Sequence, residues 1–467
     1  PIPPWSNPIS PCVYDAPMTK SDSERRLGLI DATAVVVSAC IGIGIFFSPA
    51  TVAARTGSGG WALAAWAVGG VLAVIGGLCF AELGAMRPDM GGQFRVLREA
   101  WGRPVGFAYA GTSGLIINTG AVAVLAGYGT DFLGQAFGWK LDGAAWLAVS
   151  VTLIAVLAVV NCIGLRRAAD LLDVLTLGKL LTILGIGVGA IVAATSGVPK
   201  HATSPFALGG APRSGGLMFA LMPVLFATGG WQQVLWAAGD IRHPGRNIPR
   251  ALIVGIGTVL LAYFTVNAAC LWLLGHEAMA TSKTVASDAL AVVHADAGRW
   301  LAGAIGLSAI GTVHVILITS SREQAAFGRT GDGPAWIASV DPNTGSARCA
   351  VLAMAVWSTL LLVIAGRGGI ESLLDAVVMA DFAFLALGAL AVLRFRAMDP
   401  QAPRPFRCPA GPVFPIAFAT TAVVIAATPW TVEKMRPWAV AVTLVVVGLL
   451  LLGRIRSRGR CEGIDRT

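Results

Sequence analysis

Apolar runs, too many and too long for the inside of a soluble domain, are what most constrain this chain. Twelve can be read, near 29–53, 61–81, 105–137, 145–163, 171–194, 216–238, 251–274, 300–319, 349–366, 373–393, 413–429 and 437–453. Each approaches or exceeds the roughly 17–25 residues that carry a helix across a bilayer. In hydrocarbon only a helix or a closed barrel satisfies its own backbone, so the expected fold is all-α with twelve spans. The third run is too long for a perpendicular crossing and must tilt or protrude. The eighth is expected to continue towards Arg322. Composition agrees, because only 13% of the 467 residues are charged and 55% are hydrophobic, with a mean hydropathy of +0.73. Soluble domains carry about a quarter charged residues.

The net charge of +9 belongs to topology rather than to nucleic acid. With the N-terminus inside, the outer segments hold only Arg55, Lys140, Lys200, Arg213, Lys283, Arg299, Arg367, Lys434 and Arg436 of the 34 Lys and Arg, and Lys179 lies within a span. The remainder falls on the inner side, so both termini are expected in the cytoplasm. The expected divisions are a polar, proline-rich cytoplasmic tail over 1–27, a ten-helix core over 28–396, helices eleven and twelve over 397–454, and a cytoplasmic tail over 455–467. The 8 cysteines form no CxxC pair and read as small buried hydrophobes, not as a metal site. No Walker A motif and no HExxH or GxSxG motif occurs. ATP-driven transport and intramembrane hydrolysis are therefore disfavoured, and no cofactor is expected.

Two spans are interrupted. The first contains Cys40-Ile41-Gly42-Ile43-Gly44-Ile45-Phe46-Phe47-Ser48-Pro49, and the sixth contains Phe226-Ala227-Thr228-Gly229-Gly230-Trp231-Gln232-Gln233 after Pro223. Taken singly, each glycine pair reads first as close helix packing. Together they occupy corresponding members of two five-helix halves, which is the sequence pointer to an inverted-repeat transporter. Unwinding frees N–H and C=O groups at the bilayer midplane, where only a cavity or protein tolerates them. The N–H groups at the head of the next half-helix suit a carboxylate, and freed carbonyls suit an ammonium.

The motif Gly42–Pro49 resembles the start of the L-type amino acid transporters of the amino acid–polyamine–organocation superfamily. So do Ala81-Glu82-Leu83-Gly84, Pro88–Phe94, Phe226–Trp231, Pro244–Ala251, Ser320-Ser321-Arg322 and Pro403-Arg404-Pro405-Phe406. The resemblance spans about residues 27 to 455. It implies a five-plus-five inverted repeat with helices one and six unwound, and exchange of amino acids. Carried over, the substrate carboxylate meets the N–H groups of Ile43, Gly44 and Ile45, and the amine meets carbonyls of Cys40, Phe226 and Gly229. Phe226 closes the site from outside, Gln232 lines the side-chain pocket, and Gly42, Gly230, Trp231 and Glu82 serve the breaks and gating. The animal heteromeric members carry a cysteine between spans three and four for a heavy-chain disulfide. Residues 137–143 hold none. The expectation is therefore no heavy-chain subunit, a monomer or weak homodimer among lipid, and the inner membrane of a bacterium.

Ionisable residues inside spans are costly and default to function. Lys179 lies nine residues, or roughly 13 Å of rise, from the cytoplasmic Asp170. That is too deep for easy snorkelling. The resemblance implies that its ammonium replaces sodium, bridging carbonyls near Gly42 and a hydroxyl of span eight, Thr312 first and Ser308 second. Asp381 in span ten stands where relatives carry a neutral residue, and it reads equally as structure or as a proton or specificity group. Asp375 is expected to be solvated. His314 is expected to be a packed, hydrogen-bonded residue. Asn118 and Thr119 face either the substrate or a neighbouring helix. The leading expectation is sodium-independent exchange of neutral L-amino acids by alternating access. The alternatives are a proton-coupled symporter, a cationic amino acid or polyamine permease, and a membrane amino acid sensor.

Overall fold

Helices that are apolar on nearly every face need lipid or protein on every side, and such helices make up most of the chain. In a computed structural model the described residues are 25, 27–88, 92–163, 185–189, 192, 205–209, 216–341 and 346–464. The first apolar run forms two helices, α1 (Leu29–Cys40) and α2 (Gly44–Thr56), set at 48° to one another. Next come α3 (Gly59–Met86), the short α4 (Gln93–Trp101) and α5 (Arg103–Thr112), which passes through a π-helical turn, Ser113–Ile117, into α6 (Asn118–Phe137). Then follow α7 (Gly143–Ile163), α8 (Gly216–Thr228), a string of single turns over Trp231–Asp240, and α9 (Pro244–Thr281). The chain closes with α10 (Val285–Ala291), α11 (Ala295–Arg329), α12 (Arg348–Met398), α13 (Val413–Ala427) and α14 (Arg436–Ile464).

Among the described residues, eight helices are long and apolar enough to cross a membrane, or nine when α1 and α2 count as one bent span. This is fewer than twelve for identifiable reasons. Most of the fifth run, with Lys179, lies outside the described residues. The sixth run is split after Thr228, and its pieces are too short to count. The ninth and tenth runs are joined in α12, whose 51 residues would span about 76 Å if straight. That is far more than the roughly 30 Å of hydrocarbon. Gly366 breaks it, with φ 60° and ψ 180°. The third run is long, as expected, and the eighth continues past Arg322 to Arg329.

The bundle's interior is made where α3 packs along α9, α2 along α8, and α6 along both α11 and α12. Large apolar side chains face outward in numbers that water would not tolerate, among them Ile30, Leu261, Trp300, Val356 and Leu444. The amphipathic α4 instead buries Phe94, Val96, Leu97 and Ala100 along one side. Arg25 and Leu27, at the end of the expected tail, are bonded into the core. Leu27 N–H donates to the Asp240 carbonyl at 2.9 Å, and Arg242 N–H donates to the Leu27 carbonyl at 2.8 Å. Arg25 donates to the Ile241 carbonyl at 3.2 Å.

Candidate functional site at two helix breaks

The first break begins where Ile41 leaves helical space, with φ −75° and ψ 89°. Gly42 N–H turns back to the Cys40 carbonyl at 2.9 Å, and the first bond of α2 runs from Phe46 N–H to the Ile43 carbonyl, 2.9 Å. The N–H groups of Ile43, Gly44 and Ile45 therefore head α2 ahead of its first bond, where a helix has no internal acceptor for them. All three residues are buried. This head of a half-helix carries the partial positive charge that favours a carboxylate.

The second break is made by Gly230, at φ 102° and ψ −20°. That conformation is open to glycine and costly for an L side chain. In a continuous helix the Gly230 N–H would serve the Phe226 carbonyl. It donates instead to Gln232 Oε1 at 3.0 Å. Likewise the Gln233 N–H, which would serve Gly229, donates to the Gly230 carbonyl at 2.9 Å. The carbonyls of Phe226 and Gly229 thus lose their ordinary helical partners, and a buried carbonyl needs a new one.

The two breaks touch reciprocally. A Cβ on Gly44 would sit 3.0 Å from Ala227 Cα, and one on Gly230 would sit 2.4 Å from the Ala39 carbonyl oxygen. Each break therefore rests its glycine against the helix end that precedes the other. An aromatic wall stands beside them. Phe47 stacks on Tyr128 with centroids 3.7 Å apart and planes 5° apart, and the half-buried Phe226 ring lies 6.2 Å from Phe47.

Sequence reasoning missed Tyr263 on α9. Its hydroxyl lies 2.8 Å from the Cys40 carbonyl and 3.1 Å from the Ala227 carbonyl, one on each broken helix. It is 1% exposed, and its ring meets Trp66 edge-on at 5.8 Å. One hydroxyl proton serves one carbonyl at a time. With Tyr263 and Gly42 both directed at it, the Cys40 carbonyl is already supplied with donors. A lone tyrosine in an apolar run was the available signal, since a buried phenol needs a polar partner.

The remaining candidates separate into three places. Thr312 is beside the first break, where a Cβ on Gly42 would lie 3.6 Å from its methyl carbon. Thr312 also donates to the Ser308 carbonyl at 2.9 Å, and the buried Ser308 hydroxyl has no partner among the described residues. Lys179, their expected partner, lies outside those residues. Trp231 turns away from the breaks, against Phe80 at 5.2 Å and Phe418 at 6.3 Å. Glu82 lies near the C-terminal end of α3, two residues past Phe80. It accepts two bonds from Arg396, at 2.9 and 2.5 Å, and one from Cys408 N–H at 2.7 Å. Asn118 bonds to Ser113 at 2.7 Å and reaches Glu323 at 3.5 Å, and Asp381 acts electrostatically on the same Glu323. His314 is packed as expected, 0% exposed and 3.0 Å from Asn161 Nδ2.

One expectation is corrected by the geometry. Asp375 is not solvated, being 1% exposed and gripped by both Nη atoms of Arg55 at 3.0 and 2.8 Å. Arg55 also donates to the Phe219 carbonyl at 2.7 Å, tying α2, α8 and α12 together beyond the breaks. The carboxylate can stay buried because its charge is matched by a planar, bidentate partner.

These features define a class, a multi-pass helical membrane protein with paired, facing helix breaks in its core. The chain belongs to the amino acid permease family, whose model matches residues 27–451, within the amino acid–polyamine–organocation superfamily. It is a membrane carrier and not an enzyme. It is similar to the human b(0,+)-type amino acid transporter 1, 26% identical over 435 residues, covering 91% of this chain and 87% of that protein. It is also similar to the large neutral amino acids transporter small subunit 2 of human, 29% identical over 408 residues, with 85% and 74% covered. The rabbit protein of that name is 29% identical over 411 residues, with 85% and 74% covered. These relatives correct the expectation that no heavy-chain subunit accompanies such a chain, because proteins named as a transporter's small subunit match most of its length. The missing cysteine between spans three and four does not exclude a partner, since buried area can hold an interface without a covalent link.

Proposed function

We propose that this chain is a sodium-independent secondary transporter that exchanges neutral L-amino acids by alternating access. The observation that carries the reading is the reciprocal pair of breaks, with the head of α2 facing the region where the Phe226 and Gly229 carbonyls lose their helical partners. A zwitterion fits that arrangement, its carboxylate on the N–H groups of Ile43, Gly44 and Ile45 and its ammonium on the carbonyls of Phe226 and Gly229. The Cys40 carbonyl joins the ammonium site when the Tyr263 proton turns to Ala227. Phe226 covers the bound molecule, and Gln232, held to the second break by its own bond to Gly230, borders the side-chain pocket. Lys179 takes the place of a coupling sodium, joined to Gly42 and to Thr312 or Ser308. The names of the relatives, with their large neutral amino acids and b(0,+)-type transport, support a substrate of this class.

The reading includes twelve spans in a five-plus-five inverted repeat, with the α1–α2 pair and α8 with its following turns as the two unwound members. Both ends lie in the cytoplasm, from the Lys/Arg asymmetry. The membrane is the inner membrane of a bacterium, since the linking cysteine of the animal members is missing. Purified protein tested by thermal shift against a panel of amino acids, then by counterflow in liposomes with sodium replaced by choline, decides the matter. Stabilisation by a neutral amino acid and equal counterflow in choline are expected. A strict requirement for sodium removes the role given to Lys179, and a panel in which no amino acid stabilises or moves removes the function.

A further inference from the structure

Away from the breaks, α11 meets α5, the π-helical turn and α12 around a buried carboxyl group. Glu323 is 6% exposed. Its Oε2 accepts from the Ser113 hydroxyl at 3.2 Å and from Asn118 Nδ2 at 3.5 Å. Its Oε1 is buried with no hydrogen-bond partner among the described residues. The buried Tyr109 hydroxyl is a further hydrogen-bond partner of this carboxyl group, and Asp381, half-buried on α12, acts electrostatically on both. The backbone is shaped to this contact. Ser113 opens the π-helical turn, and a Cβ on the next residue, Gly114, would lie 2.9 Å from the Gln324 amide. Gln324 in turn donates to the Ala110 carbonyl at 3.0 Å. Single π-helical turns recur at functional positions in helices.

The cations of the surrounding elements are engaged elsewhere. From α4 and α5, Arg98 and Arg103 pair with Asp332. From α14, Arg456 donates to the Asp332 carbonyl and lies over the Phe107 ring at 5.4 Å. From α12, Arg394 lies over Trp101 at 5.1 Å, and Arg322 beside Glu323 on α11 is exposed. Among the described residues, the leading influences on Glu323 are its burial, the donors Ser113, Tyr109 and Asn118, and Asp381, and none of these is basic. Two carboxyl groups in this setting cannot both hold a bare charge cheaply. A metal ion would need a shell of oxygen acceptors, whereas Ser113 and Asn118 turn donors towards the site. The ligand that suits a bare carboxyl oxygen here is a proton.

We propose that Glu323 and Asp381 form a proton-binding site in the scaffold, loaded on Glu323, through which a proton gradient biases transport. The proposal rests on the amino acid transport reading for its consequence, though not for the site itself. Asp381 lies six residues from Asp375 on α12, about 9 Å of rise. The helix that carries Asp381, the acid beside the loaded Glu323, therefore also carries the carboxylate held by Arg55 of α2. Loading the site changes the charge beside α12 less than two turns from the Asp375 that Arg55 holds.

Two measurements on purified protein test it. Infrared difference spectra across a pH jump should show a protonated carboxyl band in the wild type that is lost in Glu323→Gln and displaced in Asp381→Asn. In liposomes, the ratio of leucine uptake with an inward proton gradient to uptake without one should exceed threefold in the wild type and fall to one in Glu323→Gln. If Glu323→Gln does not fold, the Asp381→Asn band shift and gradient ratio decide alone. A wild type without the carboxyl band, a band or ratio unchanged in the variants, or a wild-type ratio of one overturns the proposal. If leucine and the rest of the panel are not transported, the spectra still decide the site, and it is the transport reading that falls.

Discussion

Replacing Arg55 by methionine should pull the carrier open on the side where α2 ends. In the wild type, Arg55 makes two bonds to Asp375 and one to the Phe219 carbonyl, and the paired side chains are only 12% and 1% exposed. Removing one partner of such a pair costs about 3–5 kcal/mol, because the other charge stays buried and unmatched. The variant can escape most of that cost by opening, which hydrates Asp375. If only about 2 kcal/mol separates the two states, the open population rises about 30-fold. Hydrogen–deuterium exchange reports this directly, since the amides of α2 (Gly44–Thr56) and of the first turns of α8 should exchange faster in Arg55→Met while those of α14 stay as they were. Asp375→Asn should have a smaller effect of the same sign, because the amide keeps an acceptor for Arg55. The double variant Arg55→Met/Asp375→Leu should return much of the way to wild type, since removing both partners leaves no orphaned charge. Unchanged exchange in α2 for Arg55→Met, or a double variant as open as the single one, would refute the latch.

Gly230→Ala should abolish uptake while leaving the protein in the membrane, because the new Cβ would fall 2.4 Å from the Ala39 carbonyl at a φ of 102°. Liposome counterflow beside a size-exclusion profile checks it. Tyr263→Phe removes the one donor that the two broken helices share, so the melting temperature should fall by the equivalent of about 1–3 kcal/mol, with amino acid stabilisation weakened as well. Thermal shift with and without leucine reads both effects. Glu82→Leu strands the guanidinium of Arg396, 24% exposed at its side chain, and frees the Cys408 N–H. It should lower the melting temperature without altering the concentration of amino acid that half-saturates uptake.

The sequence was most legible where the physics is local. Apolar length located the eight or nine candidate spans found among the described residues, and Gly42 with Gly44 and the adjacent Gly229 and Gly230 lie at the two breaks, because a chain cannot unwind in lipid without residues that permit it. Phe226 and Gln232 lie beside the second break, where Gln232 spends its amide oxygen on the backbone of Gly230. What the sequence hid were partners far apart in the chain. Nothing near Asp375 announces Arg55, which is 320 residues away, and an acid close to a span's end reads as solvated until its arginine is found. Tyr263 is hidden for the same reason, since its two acceptors lie on other helices. Glu323 follows the Ser320-Ser321-Arg322 motif, where position alone suggests an aqueous edge. It is the packing of α11 against the π-helical turn that buries it. The joining of two spans in α12 was missed because the helix continues up to Gly366 on one side and from it on the other.

The devices that close the two breaks differ in chemistry but share one energetic property. At the end where α2 finishes, Arg55 and Asp375 form an ion pair taken out of water. At the other end, Leu27 exchanges backbone bonds with Asp240 and Arg242, and Arg25 adds a bond to Ile241. An intact ion pair gives up hydration on closing and regains it on opening, so its net preference is small even though losing one member is costly. A backbone bond exchanged for water likewise contributes only about 0.5–1.5 kcal/mol. Both closures thus cost little net free energy to break, which is what the proposed alternating access asks of them. In the proposed cycle the tipping contribution then comes from the middle, where Gly44 and Gly230 press against each other's helix ends. A zwitterion that satisfies the head of α2 and the freed carbonyls of Phe226 and Gly229 acts on both closures at once, because the residues that bind it head or end the helices those closures hold.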